Sequence, residues 1–421
     1  MDDILLSIWC ITYNHELYIR DAIEGFLSQR TNFKYEIIIH DDASTDRTAD
    51  IIREYEQKYP NLIRGIYQTE NQFACNQPSV EWLWEIQAHN CNGKYIASCE
   101  GDDYWIDMKK LQVQVNYLET HPKCIMTVHD AVNVDCQNWK MYSGSIYEED
   151  CIVSEKDIIE QKKYLFTASM VYRREVLGMN GFYLKVGIGD YPILLYSIIN
   201  GYVYYFSRIM SIYRQNHEGS WSNSFLHEEN TRFTHSIRMI NFLKNYNVYT
   251  GRKYEDYIIS RIQRSAIDVI NLCAKESLEN FSKECMEHMK KMEATYEWVS
   301  KPLQKLWLQL FDDKYIDENI KCFVNKYQRT VIMGAGVYAG ILERQMSNHN
   351  IFFDGFVISD GQELISNYMG KPVWKLSCMP FELKDTGIII GINPTIWNDI
   401  LFSLNQCKAE NYLCPFLFDF K

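Results

Sequence analysis

Three carboxylates lie within four residues of this sequence, at Glu100, Asp102 and Asp103. They follow residues 95–99, an apolar run that predicts a β-strand. In open α/β sheets, ligands bind just outside the carboxyl ends of the strands. Carboxylate oxygens at such a position suit a divalent cation that in turn holds a diphosphate. Taken alone, the segment would be interpreted as a solvated acidic turn, but the surrounding sequence favours a cation site.

Two further polar segments follow predicted strands. Residues 11–16 leave the first strand, and residues 40–46 leave the second. In the latter, Asp41 and Asp42 directly follow an isoleucine-rich run, where buried carboxylates are costly unless a partner uses or solvates them. They can accept hydrogen bonds from a base N–H or a ribose hydroxyl, although a helix start or cap is the ordinary role of such turns. All three segments leave the same end of the sheet, which predicts one crevice.

Two later residues could complete the chemistry of this crevice. Asp190 lies in the polar segment 187–192 and precedes the apolar helix predicted at 193–199. A carboxylate there is either a helix cap or a general base. His217 lies within residues 213–221, which mix cationic, flexible and metal-binding side chains and predict a closing loop. His217 itself is either a surface histidine or a ligand.

Alternating strand and helix signals must position these residues. Apolar runs predict strands at 5–11, 35–40, 63–67 and 95–99, with helical spacing between them. Asp46 is the expected N-cap of the second helix, and Pro78 is expected to open the third. This βαβ repetition predicts a mostly parallel sheet that is covered on both faces.

The pattern changes twice further along the chain. Short strands and one helix continue over 165–214, helical runs dominate from 226 to 327, and strand and helix signals alternate again from 329. The predicted fold class is therefore α/β in three parts. These are an N-terminal sheet domain at 1–224, a helical connector at 225–327 and a smaller Rossmann-like α/β domain at 328–421.

The C-terminal part has a motif of its own. Gly334, Gly336 and Ala339 match G-x-G-x-x-A after a predicted strand, and Asp360 ends the next strand. This pattern is typical of dinucleotide binding, because glycines allow the backbone to approach a pyrophosphate. The chain has no Tyr-x-x-x-Lys pair after Gly334. A structural, regulatory or partner-binding module is therefore favoured over a working oxidoreductase, and a bound dinucleotide is left open but not favoured.

Bulk composition narrows the class of protein. The chain has 421 residues, of which 47% are hydrophobic and 23% charged, as in soluble globular proteins. A net charge of −12 argues against a nucleic-acid partner. Thirteen cysteines without a C-x-x-C pair indicate reduced thiols, and the acidic N-terminus does not resemble a signal peptide. We therefore expect a cytoplasmic protein, with peripheral attachment at the inner face of the plasma membrane left open.

Taken together, these segments resemble family 2 glycosyltransferases of the GT-A fold. The resemblance covers about residues 3–222 and rests on Asp-Asp-x-Ser-x-Asp at 41–46, Glu-Gly-Asp-Asp-x-Trp at 100–105 and Gly-Asp at 189–190. It implies inverting transfer of a sugar from a nucleotide donor with the help of Mn²⁺ or Mg²⁺. In that case Asp190 would be the catalytic base.

The resemblance also implies the binding residues. Those lining the nucleotide-sugar pocket would be Thr12, Tyr13, Asn14, Glu16, Asp41, Asp42, Asp102 and Asp103. Asp102 would engage the metal diphosphate, and His217 matches a position that sometimes completes the metal shell. Many relatives have Asp where this chain has Glu100, so we expect Glu100 to act through water and rest the metal site on Asp102.

Two other functions stay open beside transfer. The first is a nucleotide-sugar-binding protein without activity, which the intact acidic residues disfavour. The second is a sugar nucleotidyltransferase, which needs a glycine-rich loop after the first strand, whereas residues 12–14 contain no glycine. The expected partners are a UDP- or dTDP-sugar donor and a glycan, glycolipid or glycoprotein acceptor. A homo-oligomer or a complex with other glycosyltransferases is left open.

Overall fold

The computed structural model describes residues 4–75, 79–143, 147–179, 189–217, 229–275, 318–392, 404 and 411–413. The chain divides into two compact units, Met1–Ser265 and Ala266–Lys421. The three-part division at 224 and 327 stays a prediction. Pro78, residues 187 and 188, and residues 218–221 of the predicted closing loop lie outside the described residues.

One mixed sheet organises the first unit. Its described strands are β1 Leu6–Thr12, β2 Tyr35–Asp41, β3 Ile63–Tyr67, β4 Tyr95–Glu100, β5 Tyr104–Trp105, β6 Cys124–Asp135, β7 Met141–Ser143, β8 Cys151–Ile152, β9 Val171–Arg173 and β10 Tyr202–Gln215. The main path runs β3-β2-β1-β4-β9-β6-β10-β5, with β7 beside β6 and β8 beside β10. The described helices are α1 Ile19–Leu27, α2 Thr48–Lys58, α3 Gln72–Cys75, α4 Glu81–Asn90, α5 Lys110–Thr120, α6 Glu155–Glu160, α7 Asp190–Asn200, α8 Glu229–Tyr249 and α9 Glu255–Lys275. Short 3₁₀ turns lie at Thr167–Ser169 and Arg174–Gly178.

The parallel half of the sheet forms as the sequence predicts. Strands β3, β2, β1 and β4 are parallel, and β1 is buried along almost all of its length. Helix α1 buries Ile19, Ala22, Ile23 and Phe26, which share one helical face. Helix α2 begins at Thr48, and Asp46 Oδ1 accepts the N–H of that residue at 2.9 Å. The α/β fold class is therefore confirmed.

Beyond β4 the sheet becomes mixed. Strand β9 is antiparallel to both β4 and β6, whereas β6 and the long β10 run parallel. Strand β10 also pairs with the short β5, which follows the acidic turn after β4. The last residues of β10 therefore lie beside the turn that carries Asp102 and Asp103.

A second sheet organises the C-terminal unit. Its described strands are β11 Arg329–Met333, β12 Gly355–Ile358, β13 Asn367–Tyr368, β14 Lys371–Lys375, β15 Thr386–Ile390 and β16 Tyr412–Leu413, in the order β13-β14-β12-β11-β15-β16. The described helices are α10 Glu318–Val324 and α11 Val337–Asn348, and 3₁₀ turns lie at Leu376–Cys378 and Leu383–Asp385. All pairs are parallel except β13 with β14. The predicted second α/β domain is confirmed.

The glycine motif of this unit lies where β11 meets α11. Gly334 has φ +115°, and a Cβ there would lie 2.6 Å from the backbone oxygen of Gly391, so only glycine suits the turn. Asp360 Oδ1 accepts hydrogen bonds from the backbone N–H and the hydroxyl of Ser377, at 3.0 and 2.8 Å. This oxygen is therefore engaged within the fold. Ligand binding by the C-terminal unit stays a prediction.

Two global features bear on the environment of the protein. Among the described helices, none is both long and apolar enough to cross a lipid bilayer. Nine cysteines whose side chains the structure describes are free thiols, and four of them, Cys10, Cys91, Cys99 and Cys124, are buried.

Candidate active site

The turn after β4 packs directly onto the turn after β1. The Gly101 N–H donates to the backbone oxygen of Ile11 at 2.9 Å. A Cβ at Gly101 would lie 2.5 Å from Thr12 Oγ1, so the contact requires glycine. Thr12 Oγ1 in turn lies 3.1 Å from His15 Nδ1. The two predicted segments therefore share one edge of the sheet.

Asn14 and Glu16 join the loop after β1 to the loop after β2. Asn14 has φ 55°, its N–H donates to Ser44 Oγ at 2.9 Å, and its Oδ1 accepts the N–H of Thr45 at 2.8 Å. Glu16 Oε2 accepts the N–H of Arg47 at 2.9 Å. In this structure both side chains hold the loops together, while Tyr13 between them is 41% exposed.

Asp41 and Asp42 have different surroundings. Both carboxylate oxygens of Asp42 accept backbone N–H groups at the start of α3, from Gln72 at 2.8 Å and Phe73 at 2.9 Å. Asp41 Oδ2 accepts the N–H of Ser44 at 3.3 Å. Asp41 Oδ1 is buried and has no hydrogen-bond partner among the described residues. Because both oxygens of Asp42 are engaged, Asp41 Oδ1 is the more available acceptor of the pair, and burial raises the pKa of Asp41.

Asp102 lies between two histidines. Its Oδ2 is 2.8 Å from His217 Nε2 and 3.8 Å from His15 Nε2. Burial alone would raise the pKa of Asp102, but His15 and His217 outweigh burial and hold it below its ordinary value. Asp102 is therefore ionised at neutral pH. Burial lowers the pKa of His15, and the charge of Asp102 opposes this shift.

Arg214 fixes the backbone of the acidic turn. Its Nη1 donates to the backbone oxygen of Asp102 at 2.7 Å, and its backbone N–H donates to Asp103 Oδ1 at 2.9 Å. The guanidinium lies over the rings of Tyr104 and Tyr18, at 4.5 and 5.1 Å from their centroids. Three elements, the turn, β5 and β10, are thereby held in one arrangement.

Glu100, Asp103 and Asp190 form one electrostatic group. Burial raises the pKa of Glu100, and the charges of Asp102 and Asp190 raise it further. Burial, Asp102 and Glu100 together raise the pKa of Asp103. Asp190 begins α7, its Oδ1 accepts the N–H of Tyr191 at 2.7 Å, and burial raises its pKa. The structure thus brings the predicted base close to the acidic turn.

The donor atoms near Asp102 suit a divalent cation. A carboxylate oxygen and an imidazole nitrogen are ordinary ligands of Mn²⁺, and Mg²⁺ prefers oxygen and completes its shell with water and phosphate. Within the described residues, however, no group of three His, Cys, Asp or Glu side chains is arranged to hold an ion. Glu100 does not join Asp102 and His217 in such a group, and a cation there would need further ligands from a substrate or water.

Sequence reasoning left two residues of this site without a role, His15 and Arg214. Both lie in segments that were singled out, His15 in the turn after β1 and Arg214 near the end of β10.

Comparison with known proteins shows what the N-terminal unit resembles. Residues 7–178 match the family model of Glycosyl transferase family 2. The resemblance inferred from the motifs is therefore confirmed over this range.

This chain aligns with only part of the length of its relatives. Uncharacterized protein Rv1520 of Mycobacterium tuberculosis is 34% identical over 222 residues, which are 52% of this chain and 61% of that protein. The UDP-Glc:alpha-D-GlcNAc-diphosphoundecaprenol beta-1,3-glucosyltransferase WfaP of Escherichia coli is 35% identical over 121 residues, 28% of this chain and 42% of that protein. The crystal structure of S. aureus TarS 1-349 in complex with UDP-GlcNAc aligns with a TM-score of 0.42 at 14% identity, covering 82% of this chain and 89% of that chain.

Proposed function

We propose that this protein transfers a sugar, with inversion, from a UDP- or dTDP-sugar to a hydroxyl group of a cell-surface glycan, glycolipid or glycoprotein. The observation that carries the proposal is the group formed by Glu100, Asp102, Asp103 and Asp190, whose charges act on one another at the end of β4. The match to the family 2 model over residues 7–178 supports it.

The donor would lie across the loops after β1 and β2. The residues proposed to line its nucleotide are Thr12, Tyr13, Asn14, Glu16, Asp41 and Asp42. Among them, Asp41 Oδ1 is the buried acceptor that a base N–H or a ribose hydroxyl can satisfy. Asp42 would contribute indirectly by holding the backbone at the start of α3, because both of its carboxylate oxygens already accept N–H groups there. Asp103 would support Asp102 from the adjacent position.

Asp190 would act as the general base. As the acceptor oxygen attacks the anomeric carbon, its proton passes to the Asp190 carboxylate and the bond to the nucleoside diphosphate breaks. Burial raises the pKa of Asp190, which strengthens it as a base. The hydrogen bond from the Tyr191 N–H keeps the carboxylate in place during this transfer.

Asp102 and His217 would hold a divalent cation. Mn²⁺ or Mg²⁺ bound there would act as a Lewis acid on the leaving diphosphate. The chain's own part is to keep Asp102 ionised, which His15 and His217 do, and to fix the turn, which Arg214 does. Glu100 would contact the cation through water.

The acceptor is proposed by analogy with one relative. The name of WfaP states transfer to a diphosphoundecaprenol-linked sugar. A lipid-linked acceptor of this kind would place our protein in the cytoplasm at the inner face of the plasma membrane. It would act there alone, as a homo-oligomer or in a complex with other glycosyltransferases.

The substitution Asp190→Asn tests the proposal. The amide oxygen can still accept the Tyr191 N–H, so we expect the fold and donor binding to persist. Loss of the general base should lower kcat on the order of 10²- to 10⁴-fold. A screen of UDP- and dTDP-sugars with Mn²⁺ identifies the donor, and calorimetry measures its binding to both proteins.

The control is Asp150→Asn, because Asp150 is an exposed carboxylate that bonds only Ser207 in the described part of the chain. Wild-type turnover in Asp190→Asn would remove Asp190 from this role. Donor binding without turnover in the native protein would instead indicate a binding protein. Pyrophosphate release from UTP and a sugar phosphate would indicate a nucleotidyltransferase.

A further inference from the structure

Helix α1 packs directly against β5, the short strand that follows the acidic turn. A Cβ at Gly25 would lie 2.9 Å from the backbone oxygen of Trp105, so the helix approaches this strand more closely than another residue would allow. The ring of Phe26 meets the Trp105 ring edge-on, with 4.7 Å between the centroids. Asp21 lies one helical turn before Gly25 and therefore on the same face of α1. This face of the helix is thus held beside the acidic turn.

Asp21 binds the arginine that fixes this turn. Its Oδ2 accepts a hydrogen bond from Arg214 Nη2. The Arg214 side chain is only 12% exposed, and in the described part of the chain Asp21 is the one carboxylate that forms an ion pair with it. A hydrogen bond between charged groups is stronger than one between neutral groups, and a buried guanidinium without its anion is costly. Asp21 therefore determines where the guanidinium lies.

Two contacts carry the position of Arg214 to the proposed cation site. Its Nη1 donates to the backbone oxygen of Asp102 at 2.7 Å. Its guanidinium also lies over the ring of Tyr18, and that ring contacts the imidazole of His217 with 4.8 Å between the centroids. Asp102 and His217 are the residues proposed to hold the cation. A displaced guanidinium would therefore disturb the supports of both.

The ordinary role of an aspartate in the first turn of a helix is to complement the helix dipole. Asp21 lies in the first turn of α1 and would have this role in any case. An interaction with the dipole stabilises α1 alone. The ion pair with Arg214 instead spans 193 residues of sequence and joins α1 to the last strand of the sheet. The two roles therefore predict effects in different parts of the molecule.

We propose that Asp21 is a positioning residue for the donor site, which acts through Arg214 to hold the acidic turn in the arrangement that binds the metal diphosphate. The inference rests on the proposed function. It adds α1 to the elements that set the site, through a residue that neither touches the substrate nor belongs to the acidic turn.

Two substitutions test the charge of Asp21. Asp21→Asn keeps the shape of the side chain and removes its charge. We expect the Kd for UDP in the presence of Mn²⁺ to rise about tenfold, which corresponds to about 1.4 kcal/mol. UDP binding without metal and the KM for the acceptor should each stay within about twofold, because the ion pair acts on the cation site. Asp21→Glu restores the charge and should return the Kd to within about threefold of the native value.

The matched control is Glu54→Gln. Glu54 forms an exposed ion pair at 2.7 Å with Arg20, the residue next to Asp21 in α1. This variant loses an ion pair of the same helix without touching the acidic turn, so its affinity for UDP should equal that of the native protein. Calorimetry with UDP and Mn²⁺ measures binding without turnover, and urea midpoints check that each variant folds.

Amide hydrogen exchange measures the acidic turn directly, whether or not a donor is turned over. In Asp21→Asn, exchange in peptides that cover residues 101–105 should speed up about fivefold, while exchange in β2 and β3 should not change. Glu54→Gln should leave the exchange of the turn as it is in the native protein.

Faster exchange of the turn together with weaker Mn²⁺-dependent UDP binding supports the inference. Native exchange of the turn, faster exchange confined to α1, or an unchanged affinity for UDP would overturn it. Absence of UDP binding by the native protein would instead count against the proposed function, and the exchange of the turn would still decide whether Asp21 holds it.

Discussion

A lysine without a charged partner lies behind the acidic turn. Lys110 begins α5, is fully buried, and its Nζ lies 4.1 Å from the centroid of the Trp105 ring. This nitrogen has no hydrogen-bond partner among the described residues. Burial lowers the pKa of Lys110 from 10.5 to about 7, despite the opposing charges of Cys99 and Asp107. Lys110 therefore loses its proton on folding at alkaline pH.

The pH dependence of the free energy of unfolding follows from the two pKa values of Lys110. The unfolded chain binds this proton up to pH 10.5, whereas the native protein binds it only up to about pH 7. The free-energy cost of burying the Lys110 ammonium is therefore complete below pH 7 and disappears as the pH rises to 10.5. A shift of this size destabilises the native state by about 5 kcal/mol at pH 6 and about 2 kcal/mol at pH 9. Lys110→Met keeps a long side chain and removes the proton. The free energy of unfolding of the variant should therefore exceed that of the native protein by a margin that narrows by about 3 kcal/mol between these pH values.

Urea denaturation of both proteins at pH 6 and pH 9, under reducing conditions, measures this margin. Lys109→Met is the matched control, because Lys109 is exposed and directly adjacent in the sequence. Its margin over the native protein should be the same at both pH values. If the Lys110→Met margin is also independent of pH, the reasoning about the buried ammonium is refuted.

Three further changes test other contacts. Gly93→Ala places a Cβ 2.5 Å from the backbone of β1 and should lower the free energy of unfolding by about 2 kcal/mol. Gly178→Ala is the control, because a Cβ there meets open space and should leave the free energy of unfolding unchanged. Equal urea midpoints for the two variants would contradict this prediction. Asp42→Asn leaves one acceptor for two N–H groups of α3, so amide hydrogen exchange there should speed up about fivefold, with Asp50→Asn as the exposed control. Asp102→Ala should abolish the Mn²⁺-dependent part of UDP binding in calorimetry, and an unchanged metal dependence would place the cation elsewhere.

Local sequence signals were sufficient for the parallel half of the fold. The apolar run at 63–67 predicts β3 with its observed bounds, and the runs before Asp41 and Glu100 predict β2 and β4 to within one residue. Strands β2 and β4 are buried and their own composition favours that state, whereas only Ile63 of β3 is buried. The mixed half depends on pairings between distant segments, such as β10 with β5, which no local pattern specifies.

The candidate site was likewise predictable from the sequence only in part. Its acidic residues follow strands and could be placed at one edge of the sheet from the sequence. The difference between Asp41 and Asp42 could not, because it depends on which of them faces the backbone of α3. The role of Arg214 was also hidden, since it contacts a carboxylate that the tertiary fold brings near.

The contact between Arg214 and the backbone of Asp102 spans 112 residues of sequence. During synthesis, β1 to β4 emerge from the ribosome long before β10 does. The turn that carries Asp102 therefore forms its contact with Arg214 only after β10 has been synthesised. A nascent chain halted before residue 214 would lack the guanidinium that holds the acidic turn, so the arrangement of this turn is completed only late in the translation of the first unit.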